Sequence, residues 1–133
     1  MKYYVGQKAT FEKRIMKDDV LDFARITGDN NPIHLNDKYA KNSIFGKPIV
    51  HGMLCSGLIS SVLAGELPGD GTIYLGQELK FIAPVFHGDL LVAEVEIEDI
   101  IVDKKHIILK TTVRKENNTI VIEGKARVKV TKV

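Results

Sequence analysis

The stretch HGMLCSGLISSVLAGEL, His51 to Leu67, decides the fold. It carries no Asp, Glu, Lys or Arg before Glu66, and Gly57, Ser60 and Ala64 are small. An apolar run without a polar stripe reads as a helix buried on nearly all sides. At about 1.5 Å per residue it is roughly 25 Å long, enough to cross a small domain. It is too short and too rich in Ser and Gly for a membrane span, which needs about 20 apolar residues. Pro68-Gly69 and Asp70-Gly71 end it.

Downstream the hydrophobic period becomes two. Thr72–Pro84 is a candidate strand. Leu90–Ile100 alternates Glu94, Glu96 and Glu98 outward with Ala93, Val95 and Ile97 inward. His106–Arg114 puts Ile107, Leu109, Thr111 and Val113 on one side, and a turn at Glu116-Asn117-Asn118 follows. In Ile120–Val130 the even positions Ile120, Ile122, Gly124, Ala126, Val128 and Val130 point inward. Upstream, Val20, Phe23, Ala24 and Thr27 share a helical face, Asp18 and Asp19 suit the first turn, and Gly28 suits a C-terminal stop. That predicts a helix over 17–27. Gly6 to Ile15 reads as an edge strand or an arm. Asp29–Pro48 is a long connection, rich in Asn, Asp, Pro and Gly, with one short helical turn expected at Asp37–Lys41. Connections of that length in a compact domain are often functional.

One apolar helix and one sheet predict an α+β, hot-dog arrangement, an antiparallel sheet wrapped around one long buried helix. Such a sheet leaves edge strands open, and pairing two copies edge to edge would protect them, so a homodimer is expected. The 133 residues are sized for one domain, residues 1–133, and 44% hydrophobic with 27% charged residues excludes a disordered chain. One cysteine, Cys55, excludes an internal disulfide framework and a Cys-based zinc site. A net charge of +2 lacks the density of a duplex nucleic-acid binder. The opening MKYYVGQKATFEKRI has no apolar core of a secretory signal, so a cytoplasmic protein, neither nucleic-acid-bound nor membrane-bound, is expected.

Chemistry is sought first in the long connection. Asp29 and His34 are five residues apart with Pro32 between them, and Pro32 restricts both itself and Asn31. Asn30 and Asn31 can close local side-chain turns. A stiffened loop can aim a carboxylate and an imidazole at one small volume, where the pair grips a water and moves protons near neutral pH. The alternative is a turn aspartate beside a packing histidine. A zinc motif would need a second histidine at suitable spacing, and no metal is expected. His51-Gly52 opens the buried helix, where backbone N–H groups lack helical partners and Gly52 lets a ligand oxygen approach. Equally, Gly52 eases a tight start to the helix. Ser56, Ser60 and Ser61 by default bond back to a carbonyl one turn earlier, and Cys55 packs. No phosphate-loop pattern or G-x-S-x-G is present. His87 and His106 read as surface residues.

The run Thr27 to Leu63, TGDNNPIHLNDKYAKNSIFGKPIVHGMLCSGLISSVL, resembles the MaoC-like hydratases. The matching motifs are G-D-x-N-P-I-H, then G-K-P-I-V-H-G-M, then an apolar helix. Leu67 to Leu91 and the overall length are similar to the short, stand-alone (R)-specific enoyl-CoA hydratases. The resemblance implies a hot-dog homodimer that adds water to trans-2-enoyl-CoA, giving (R)-3-hydroxyacyl-CoA, reversibly, with no metal and no cofactor beyond the coenzyme A of its substrate. It places the catalytic Asp and His on Asp29 and His34, an assisting serine on Ser60, and the amide for the thioester oxygen at or near Gly52. Asn31 and Leu54 join Gly52 and Ser60 as expected substrate contacts, with Leu58 and Ile59 beside Leu54 in an acyl tunnel. Lys47 and Lys80 are candidates for the coenzyme A phosphates.

Three competing readings share this frame. One is a 3-hydroxyacyl-[acyl-carrier-protein] dehydratase, which would take an acyl carrier protein as partner. Another is a hot-dog thioesterase, disfavoured because the helix offers only Glu66 as a carboxylate. The last is a non-catalytic acyl-CoA-binding module, against which Asp29 and His34 together argue.

Overall fold

The computed structural model describes residues 2–133; Met1, part of the expected domain, lies outside the described residues. The elements run β1 (Lys8–Arg14), α1 (Lys17–Thr27), α2 (Pro32–Leu35), α3 (Asp37–Lys41), α4 (Gly52–Gly65), β2 (Ile73–Phe81), β3 (Leu90–Ile101), β4 (His106–Lys115) and β5 (Ile120–Lys129). The strands form one antiparallel sheet in the order β1-β3-β4-β5-β2. The segment Gly6–Ile15 is thus an edge strand, paired with β3 from Lys8↔Glu96 to Arg14↔Leu90.

Period-two patterning places the core. Ala93, Val95 and Ile97 of β3, Ile107, Leu109 and Val113 of β4, and Ile122, Ala126 and Val128 of β5 are buried on one face. Against them α4 lays Cys55, Leu58, Ile59, Val62 and Leu63. The outer face keeps the glutamates, where Glu96 and Glu98 pair with Lys8 and Lys125 at 3.6 and 3.1 Å. Exposed pairs of this kind contribute about 0–1 kcal/mol each. What holds the domain is therefore the α4–sheet interface. This is the hot-dog fold: one long helix in the grip of an antiparallel sheet.

One expectation fails. The helix His51–Leu67 is not buried on nearly all sides. Met53, Gly57, Ser60, Ser61 and Ala64 are exposed, and they recur at helical spacing as one open face. A single five-stranded sheet curls around only part of a helix's circumference. The open face lies beside β2, sharing a shallow groove with Tyr74, Leu75 and Gln77. β2 is itself a sheet edge and exposes Ile73, Tyr74 and Leu75.

The connection 29–48 is more ordered than expected. Besides the turn at α3, a second short helix, α2, begins at Pro32. The Asn31 side chain accepts the Ile33 N–H at 3.2 Å, and Asn36 accepts the Tyr39 N–H at 2.9 Å, so the asparagines are caps. α1 ends at Gly28, whose φ of 79° no β-carbon tolerates easily and whose N–H closes on the Ala24 carbonyl.

Sheet packing also explains Gly124. A Cβ there would overlap the Glu78 carbonyl oxygen of the adjacent β2. Gly124→Ala is expected to cost about 3 kcal/mol, the upper part of the range for overpacking, because backbone must move. Urea unfolding of the two proteins measures it, with a loss below about 1 kcal/mol contradicting the packing described.

Candidate active site

Three chain segments converge at the start of α4. The residues Ile49, Val50 and His51 form a short extended strip with a polar tie at every position. The Ile49 N–H donates to the Ile33 carbonyl at 3.2 Å, and the Ile49 carbonyl accepts from His34 Nδ1 at 2.8 Å. The Val50 N–H donates to Val85 at 2.7 Å. His51 Nε2 donates to the Asp29 carbonyl at 3.0 Å. The strip thereby pulls both ends of the Asp29–Leu35 segment against α4.

Carbonyl oxygens only accept, so both imidazoles have defined tautomers. His34 carries its proton on Nδ1 and leaves Nε2 as the free nitrogen. His51 carries its proton on Nε2 and leaves Nδ1 as a lone pair, which is buried without a hydrogen-bond partner. The two rings stack with centroids 3.9 Å apart and planes 30° from parallel, and Phe23 of α1 packs on His51 at 4.7 Å. His51 is 1% exposed, His34 half-buried and Asp29 exposed. Burial lowers the His51 pKa from its ordinary value; the Asp29 carbonyl bond opposes this, and the neighbouring His34 adds to it. His51 is accordingly a neutral imidazole at physiological pH.

One polar side-chain atom from each of Asp29, His34 and His51 lies within 4.8 Å of the other two. Such a trio invites comparison with a metal centre. A chelate needs lone pairs converging on one point about 2 Å from each donor. The two imidazoles face each other in a stack with planes 30° apart rather than converging edge-on, and the His51 Nδ1 lone pair is enclosed; the carbonyl bond on each ring's other nitrogen is the usual support of a metal-bound histidine and does not decide between the two uses. The trio fits proton handling better than chelation.

The cluster closes one end of a cavity of about 430 Å³. Its walls are otherwise apolar: Phe45, Ile49, Met53, Cys55, Phe81, Ala83 to Val85, Val121 and Ile122. Gly52, the first residue of α4, lies in the same wall. The Leu54 and Cys55 N–H groups bond to the His51 carbonyl, while Gly52 and Met53, ahead of them, have no helical carbonyl to bond, which suits this corner to an anion. A Cβ at Gly52 would stand 2.6 Å from the Phe81 ring, which would have to turn away to accept it.

Of the residues expected to contact a ligand, Asp29, His34 and Gly52 come together here. Asn31 lies beside them, but its side chain is spent on the α2 cap. Leu54 does not line the cavity and packs, half-buried, against the core; Leu58 and Ile59 are core as well. Only the first turn of α4 reaches the cavity, and residues one turn on are about 6 Å further along the axis. The apolar wall comes instead from the 81–85 segment and β5. Ser60 is exposed on the open face of α4, in the groove beside β2, and does not share the cavity. Lys80 projects from the outer face of the sheet, opposite to Phe81, and neighbours Glu123 and Lys125. Lys47 stacks its ammonium 4.3 Å from the Phe86 ring centroid. Sequence reasoning missed His51 as a member of the cluster. The signal was a lone histidine heading an otherwise apolar run.

The chain belongs to the MaoC-like domain family, whose model matches residues 3–120. It is 44% identical over 126 residues to the (R)-specific enoyl-CoA hydratase of Aeromonas caviae, covering 95% of this chain and 94% of that one. It is 42% identical to the 3-hydroxybutyryl-CoA dehydratase of Methylorubrum extorquens, covering 96% and 81%. Among solved structures it is similar to the (R)-hydratase from A. caviae involved in PHA biosynthesis, with a TM-score of 0.93, 43% identity, and 96% and 97% of the two chains covered. Among the described residues no helix is long and apolar enough to cross a membrane.

Cys55 is the nucleophile-type side chain in the cavity wall. Burial pushes its thiol up to about 12, so at pH 8 only about one molecule in ten thousand is thiolate. In the folded protein Cys55 is expected to resist Ellman's reagent for hours and to react fully in guanidinium. Stoichiometric labelling of the native protein within minutes would show the thiol to be open and ionisable.

Proposed function

We propose that this hydro-lyase is an (R)-specific enoyl-CoA hydratase, adding water reversibly to a trans-2-enoyl-CoA. The observation that carries the reading is that Asp29, His34 and Gly52, the first residue of α4, line one largely apolar cavity. An enoyl thioester has the matching division, an apolar chain leading to a polar, polarisable carbonyl. Hydration puts hydroxyl on C3 and a proton on C2 through an enolate-like transition state. Negative charge grows on the thioester oxygen, and a helix-start amide at Gly52 meets that charge where it develops. Asp29 and His34 hold the water, take one of its protons and return a proton to C2 on the same face. Atoms balance with no redox change, so the reading asks for no cofactor. Relatives named as a hydratase and as a dehydratase fit one site run in either direction.

The reading includes a homodimer. The open face of α4 and the exposed Ile73, Tyr74 and Leu75 of β2 form a continuous surface beside an unpaired sheet edge. A second copy would cover this surface and pair the edge. Sedimentation should give about twice the 14.8 kDa chain mass at micromolar concentration, and a 14.8 kDa particle would remove the dimer from the proposal.

The activity is tested by following loss of the enoyl absorbance of crotonyl-CoA and resolving the chirality of the product. Asp29→Asn and His34→Ala should each lower the rate by about 10²–10⁴-fold while the protein stays folded. Ser60→Ala should cost less. A parent without turnover, or either of the first two variants within a few-fold of the parent, would sink the assignment.

A further inference from the structure

We propose that His51 is a positioning residue, which holds the Asp29 carboxylate and the His34 ring in register with each other and with the Gly52 amide. The inference rests on the catalytic reading of Asp29 and His34 and gives their geometry a cause.

Asp29 alone is poorly held. It is exposed, it follows the C-terminal stop of α1, and its carboxylate receives one local bond, from the Asn31 N–H at 3.3 Å. Its backbone, by contrast, is tied at both ends: its N–H donates to the Thr27 hydroxyl at 3.2 Å, and its carbonyl accepts from His51. The second tie is the long-range one, spanning 22 residues. His34 is held by its Nδ1 bond to Ile49, which fixes one point of the ring but leaves rotation about that bond. The His51 face removes that freedom by stacking at 3.9 Å. His51 is itself clamped from behind by Phe23. It is directly bonded in sequence to Gly52, and its own carbonyl accepts the Leu54 and Cys55 N–H groups that start α4. One side chain and its peptide thus contact every part of the site.

The chemistry of His51 suits holding rather than proton transfer. Its N–H is committed to a carbonyl, which has no proton to exchange. Its other nitrogen is enclosed without a partner. The titratable groups that face it are His34 and Asp29, while the Phe23 face carries no charge. A cation here would repel a proton arriving on His34; a neutral ring stacks on it without that penalty. Small displacements matter at such a site, since about 1 Å of misplacement can cost about 10²-fold in rate.

The test uses His51→Gln, which keeps an N–H donor at similar reach, and His51→Phe, which keeps a flat ring but leaves the Asp29 carbonyl unpaired. Circular dichroism checks that each folds. For crotonyl-CoA hydration, kcat is expected to fall about tenfold in His51→Gln and about 100-fold in His51→Phe, with KM within about threefold of the parent and the pH profile unchanged in shape. Parental kcat in His51→Phe, or loss of a limb of the pH profile in His51→Gln, overturns the proposal. The second result would make His51 a proton carrier.

A readout without substrate separates this proposal from the catalytic reading. The His34 titration midpoint is followed by NMR with Asp29 present and with Asp29→Asn, in the parent and in His51→Phe. A shift in the parent that falls by half or more in His51→Phe supports positioning. An equal shift in both, or none in the parent, overturns it, whatever the enzyme assay shows. Should His51→Phe fail to fold, the cycle is run on His51→Gln, where a smaller loss in the same direction is expected and an unchanged shift overturns the proposal. Turnover that survives Asp29→Asn and His34→Ala defeats the catalytic reading alone.

Discussion

The strip Ile49-Val50-His51 is the constraint on which the site depends. Each of its residues makes a polar tie to a different part of the chain: Ile49 to α2, Val50 to the segment before β3, and His51 to Asp29, two residues past α1. Buried backbone groups must be paired, and here the pairing is distributed among three neighbours rather than along one strand. A strip with only one partner would fix one loop. With three, it fixes the relative positions of a carboxylate, an imidazole and a helix start that are up to 23 residues apart in sequence.

The central helix carries two loads that pull its sequence in different directions. Its sheet-facing side needs large apolar side chains, and Ile59, Val62 and Leu63 are fully enclosed. Its first turn packs closely on a neighbouring ring, and Gly52 leaves the space that the Phe81 side chain occupies. Its opposite side is small and neutral, with Gly57, Ser60, Ser61 and Ala64, which allows a close neighbour rather than solvent alone. The absence of charge along the helix follows from these combined demands, not from complete burial within one chain.

Much of the fold was legible because its periodicities are clean. The alternation Ala93-Val95-Ile97 against Glu94-Glu96-Glu98 placed β3 and its inner face correctly, and Gly28 marked the end of α1 within the residue. Two things were not legible. The short helix α2 hid in an Asn-Pro stretch that reads as a loop, although Asn31 followed by Pro32 is also a cap followed by a favoured first helical residue. The lining of the cavity was misread on Leu54, Leu58 and Ile59, because apolarity alone does not say which residues face a void and which face the sheet. Which turn of α4 meets the cavity depends on where β5 and the 81–85 segment cross it, a long-range fact. That Asp29, His34 and Gly52 share one cavity was legible, since a short spacing joins the first two and Gly52 opens the helix that follows. His51 was not, since its role lies in contacts to Asp29 and to Phe23, 22 and 28 residues away.

The two histidines show how one side chain type serves two ends through its surroundings. Both donate one ring N–H to a backbone carbonyl, so both have a fixed tautomer and one nitrogen left over. For His34 that nitrogen belongs to a half-buried ring in the cavity wall that Asp29 also lines. For His51 it is sealed in a site where the charged form is disfavoured by desolvation. Stacking a ring whose charged form burial disfavours against His34 gives His34 a rigid support without a strong competing charge. The arrangement also explains the cost that the fold accepts at Nδ1 of His51: a lone pair without a partner is the consequence of keeping that imidazole both neutral and immobile between Phe23 and His34.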